Sequence, residues 1–160
     1  MASRPVYYAA FIAFLAFLHF TLHLAFGFGP QAPDLITVAA LLAARRLRGG
    51  QAAALGFAFG ILADALARTS FGASALALTV VSYLGSRSRD LFEGESLLYI
   101  LVYLLLGKWL HDAILWLLPG GVGGDVMRGL VFASPVFALY AAVAGVTALV
   151  LYRAASGERV

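Results

Sequence analysis

Three sets of ionisable side chains in this chain are spaced so that they could act together. His19 and His23 stand one helical turn apart and share a face if the segment is helical. Imidazoles at that spacing can hold a metal ion. No third ligand accompanies them in the sequence, so hydrogen bonding between helices is the expectation and no metal site is assigned. Lys108, His111 and Asp112 lie inside an otherwise apolar run. A lone charge at mid-membrane costs at least about 2.5–3.5 kcal/mol. Lys108 and Asp112, at i and i+4, are therefore expected to neutralise each other and to face the bundle or a cavity. The pair reads as a structural ion pair, with a proton relay as the alternative. Asp64 is followed at i+4 by Arg68, its expected partner, and His19 or His23 is the alternative across helices. Asp34, directly after Pro33, reads as the N-cap of a helix.

These groups do not add up to an enzyme. There is no Gly-Lys-Ser phosphate loop, no His-Glu-x-x-His and no Gly-x-Ser-x-Gly. The chain has no cysteine, which removes disulfides, thiolate metal sites and a thiol nucleophile. A non-enzymatic protein without a cofactor is expected.

The elements that must position these residues follow from composition. Of 160 residues, 62% are hydrophobic and 12% charged, and mean hydropathy is +0.93. Soluble domains run about 45–50% apolar and about 25% charged. So few charges could not cover a water-soluble enzyme, and disorder is excluded by the same numbers. Net charge is 11 − 8 = +3. In so apolar a chain that charge sets topology and does not point to nucleic acid.

A helix needs about 20 apolar residues to cross about 30 Å of hydrocarbon. Stretches between charges and breakers place six helical spans in one all-α membrane domain over residues 1–160. They run over Val6–Phe26, Asp34–Ala44, Gln51–Ala67, Ser70–Gly85, Leu97–Leu118 and Gly129–Tyr152. The first is too long for the apolar part of a signal peptide and reads as a retained span. The second is short. The expected remedy is arginines that snorkel and a thinned bilayer; the alternative is a re-entrant Gly27–Pro33 segment lining an outward cavity. With six spans, one side receives Arg4, Arg45, Arg46, Arg48, Arg87, Arg89, Arg153 and Arg159, and the other Arg68 and Arg128. That bias puts both termini in the cytoplasm.

Small residues suggest where helices approach closely. Gly56 and Gly60 stand four apart on the third span, Gly72 opens the fourth, and Ala9 and Ala13 lie on the first. Packing within the bundle is expected, with docking of another helix as the alternative. Tyr7, Tyr8, Tyr83, Tyr99, Trp109, Trp116 and Tyr152 read as an interfacial aromatic belt.

From Pro33 to Arg89 the order is distinctive. Pro33-Asp34-Leu35 opens a short apolar run ending in arginines. Gly56-Phe57-x-x-Gly60-Ile61-x-x-Asp64 follows, then Phe71-Gly72, then a run closing with Tyr83-Leu84-Gly85-x-Arg87. This stretch, about a third of the chain, resembles the bacterial rod shape-determining MreD family. The resemblance implies a non-enzymatic inner-membrane subunit of the cell-elongation machinery. Its partners would be the bitopic protein MreC, MreB filaments, RodA and a class B penicillin-binding protein, and it would help direct lateral peptidoglycan synthesis. It also implies an architecture similar to the substrate-binding subunits of energy-coupling-factor vitamin transporters, which use an Ala9-x-x-x-Ala13-like pattern for docking. A small-molecule-binding subunit is therefore the alternative function.

Overall fold

Backbone groups in so apolar a chain must bond among themselves, and helices do this within one segment. The computed structural model describes residues 4–25, 32–66, 72–88, 96–118 and 128–157. Among them are six α-helices and no strand. They are α1 (Arg4–Phe20), α2 (Leu35–Ala44), α3 (Gly49–Leu66), α4 (Ala73–Ser88), α5 (Leu97–Leu117) and α6 (Ser134–Ser156). Two π-helical stretches join them: Thr21–Ala25 extends α1, and Gly129–Ala133 leads into α6. Three helical segments are long and apolar enough to cross a membrane: Pro5–Leu24, Leu97–Leu117 and Gly129–Ser156. Arg68, Phe71, Arg89 and the glycine-rich connector segments 27–30 and 119–124 lie outside the described residues.

The short helix α2 is the centre of the bundle. All ten of its residues are buried, and it touches each of the other five helices. Snorkelling and bilayer thinning presuppose a helix that meets lipid; protein surrounds this one. Its neighbours come close because several carry glycine opposite it. A Cβ on Gly107 would lie 2.6 Å from Leu41 Cδ1, and one on Gly145 would lie 2.7 Å from Val38 Cγ1.

Both ends of α2 are satisfied by side chains. At its start Asp34 caps as expected: Oδ1 accepts the Thr37 N–H at 3.2 Å and Oδ2 accepts the Thr37 hydroxyl at 2.8 Å. At its end two carbonyls of the last turn accept from tyrosines, that of Leu41 in addition to the Arg45 N–H. Tyr8 donates to Leu42 O at 2.8 Å and Tyr103 to Leu41 O at 2.9 Å. The Arg46 guanidinium lies 3.6 Å over the Tyr8 ring. Tyr8 is thus a buried core residue rather than part of an aromatic belt.

The Gly56–Gly60 face is occupied within the chain. A Cβ on Gly60 would fall 2.5 Å from Ala75 N and Ser74 O, and one on Gly56 would fall 2.6 Å from Ser82 Oγ. The helix docked there is α4. One turn beyond Gly60, the Asp64 carboxylate accepts three backbone N–H groups at the start of α4: Gly72 at 2.9 Å, Ser74 at 3.1 Å and Ala75 at 3.0 Å. Asp64 is therefore a helix cap contributed from a neighbouring helix, not a partner of His19 or His23. Gly72 sits at φ +98°, which only glycine adopts freely. Losing a single cap bond costs about 0.5–2 kcal/mol. Asp64→Ala, which removes three, is expected at or above the top of that range, and Asp64→Asn below it. Thermal unfolding in detergent reads the order, and an alanine variant melting with the parent would contradict it.

Ala9 and Ala13 do not pack inside the bundle. They lie on the exposed face of α1, near Val6, Phe14 and Phe17.

Candidate functional site

Asp34 reaches its place because it caps α2, and Lys108 because α5 passes the start of α2. The two meet at 2.9 Å, a contact between helices that local spacing does not reveal. Lys108 also pairs with Asp112 one turn on, as expected. The ammonium is thus shared by two carboxylates in a triad, where the sequence suggested a pair. Lys108 is 8% exposed.

A second ring of polar groups surrounds the triad. His111 Nδ1 lies 3.2 Å from Asp112 Oδ1. Ser134 donates to Asp112 Oδ2 at 3.0 Å. His19 Nδ1 is buried, makes no hydrogen bond, and stands 3.8 Å from Asp34 Oδ1. The His19 and His23 rings are 4.1 Å apart, and His23 Nδ1 is 2.9 Å from the His19 carbonyl. The expectation that these histidines bond between helices is met by His19, through its long approach to Asp34 and its contact with the Pro33 backbone. Among the described residues, no group of three or more His, Asp or Glu is placed to hold a metal.

These groups line a half-open cavity of about 480 Å³. Its walls come from the last turns of α1 and α3, the first turns of α2, α4 and α6, and the second half of α5. The cavity lies at the end of the bundle opposite the start of α1 and the end of α6. Trp116, Phe137 and Tyr140 form its apolar side. Of the residues named from the sequence, the structure brings His19, His23, Asp34, Lys108, His111 and Asp112 together here. It leaves Asp64 and Gly72 at the α3–α4 turn, Gly56 and Gly60 between α3 and α4, and Ala9 and Ala13 on the surface.

Chemically, the cavity offers carboxylates, imidazoles, one ammonium and aromatic faces to a guest of modest size. No family model, no curated protein and no solved structure matches this chain.

Proposed function

We propose that this chain is a non-enzymatic, multi-pass subunit of the bacterial cytoplasmic membrane, of the MreD type. It crosses the bilayer six times with both termini inside and holds MreC and the wall-synthesis machinery through its helix faces. The observation that carries this reading is the α3–α4 hairpin. The residues that bear the resemblance, Gly56, Gly60, Asp64 and Gly72, work there as one unit of close approach, cap and turn. With that small face occupied inside the chain, the face of α1 around Ala9 and Ala13 is the surface offered to a partner helix. Six crossings are supported by the eight-to-two basic bias, and by a short second span that lies within protein.

Depletion in a rod-shaped host is expected to cause rounding and delocalised wall synthesis, without rescue by vitamins. Reporters fused after Val160 and between Arg48 and Gly49 are expected to read cytoplasmic, and one between Gly121 and Val122 periplasmic. A periplasmic C-terminus would remove the six-span arrangement. The cavity favours a second reading, a small-molecule-binding transporter subunit. Normal shape combined with vitamin auxotrophy would sink the first reading and leave the second.

A further inference from the structure

We propose that the cavity bounded by Asp34, Lys108 and Asp112 binds a monovalent organic cation of the ammonium class. This goes beyond the assembly role and holds whether or not the chain belongs to the elongation complex. The first support is size: about 480 Å³ falls within the roughly 300–1,000 Å³ of small-molecule sites.

The second is charge. Among the described residues lining the cavity, two carboxylates face one ammonium and no guanidinium. In formal charge the lining carries one carboxylate more than it has ammonium groups. An uncompensated charge held partly out of water is expensive, and a bound cation lowers that expense. An anion would meet the surplus instead. A bare metal ion lacks a ligand set and would leave most of the volume unfilled.

The third is hydrogen-bond capacity. Lys108 already gives to both carboxylates. Among the described residues, Asp112 Oδ2 accepts from Ser134 alone and Asp34 Oδ1 from the Thr37 N–H alone. A carboxylate oxygen takes about two donors, so the site has room for a guest that donates. Trp116, Phe137 and Tyr140 also line the cavity, and aromatic rings attract a cation through their quadrupoles.

The fourth is helix geometry. Both π-helical stretches, Thr21–Ala25 and Gly129–Ala133, contribute residues to this cavity. Such widened turns are rare and occur frequently at functional sites.

An ammonium group can belong to a free amine or to a phosphatidylethanolamine headgroup, and one experiment separates them. The full chain carrying Trp109→Phe, which leaves Trp116 as the sole tryptophan, is placed in nanodiscs of phosphatidylglycerol and in discs that also contain phosphatidylethanolamine. Choline and ethanolamine are titrated against dimethylbutanol, the uncharged isostere of choline, and against sodium acetate. A saturable change in Trp116 emission is expected with the ammonium compounds, half-complete at or below about 1 mM, the weak end of specific binding. Asp112→Asn is expected to raise that midpoint at least tenfold. An equal response in both discs identifies the free amine. A response suppressed by phosphatidylethanolamine identifies the headgroup. Either upholds the proposal. No saturable response in either disc, an equal response to dimethylbutanol, or unchanged binding by Asp112→Asn overturns it. If Asp112→Asn does not fold, the melting temperature of the unsubstituted protein decides: a rise with ethanolamine no larger than the rise with 1-propanol, its uncharged isostere, overturns the proposal. Neither readout depends on cell shape, so failure here and failure of the assembly role are distinguishable.

Discussion

Lys108→Leu is expected to cost about 3–5 kcal/mol, the loss typical of stranding buried charge. Lys108 serves Asp34 at 2.9 Å as well as Asp112, so its removal strands two carboxylates at once. Asp112→Leu is expected to cost much less. It leaves Lys108 and Asp34 as a neutral pair, with Thr37 still bonded to both Asp34 oxygens. Spacing along α5 alone predicts two equal losses and mutual rescue. The triad predicts unequal losses, and a Lys108→Leu/Asp112→Leu variant that recovers only in part because Asp34 still lacks its ammonium. Adding Asp34→Asn to that double variant is expected to restore most of the remaining loss, since an amide oxygen can still cap α2. Melting temperature and membrane abundance are the measurements. Equal losses from the two single variants would reduce the triad to a pair.

Substitution at Gly60 is expected to be as damaging by a different route. Even alanine puts a Cβ 2.5 Å from Ala75 N and Ser74 O. Those are backbone atoms of α4 and cannot rotate away. Helix α4 must retreat, and the bonds from Asp64 to Ser74 and Ala75 stretch with it. Overpacking typically costs about 1–3 kcal/mol, which is the expectation for Gly60→Ala. Gly60→Leu is expected to leave no folded protein in detergent. Gly50→Ala is the internal control. Nothing lies within 4 Å of its added Cβ, and alanine is favoured over glycine in a helix by up to about 1 kcal/mol. Ile61→Leu keeps volume and should melt near the parent. A Gly60→Ala variant as stable as Gly50→Ala would show that α3 and α4 do not approach this closely.

Helix positions were legible because charges and Gly/Pro breakers punctuate otherwise apolar runs, and the six helices fall where those runs lie. The cap at Asp34 and the Lys108–Asp112 pair were legible because both are local, within one turn. What was not legible depends on neighbours. The apolar segment Leu35–Ala44 reads the same whether lipid or protein surrounds it, since lipid tails are as apolar as leucine. Asp64 bonds to backbone N–H groups, which carry no residue identity for a pattern to detect. The Asp34–Lys108 contact joins positions 74 residues apart (108 − 34), and its only sequence trace is that carboxylates outnumber ammonium groups at one end of the bundle. The exposure of Ala9 and Ala13 was likewise hidden, because the spacing marks a small face and does not say what lies against it.

The enclosure of α2 has a consequence for how the protein is made. Ten residues reach roughly 15 Å, about half of what hydrocarbon would need to retain the segment alone. Yet two walls of its compartment, α5 and α6, come well after it along the chain. The chain therefore cannot be laid into the bilayer as a row of finished hairpins. During translation α2 must wait beside α1, where Tyr8 already offers its hydroxyl to Leu42 and its ring to Arg46. Only when α6 is made can the compartment close around a segment that emerged well before it.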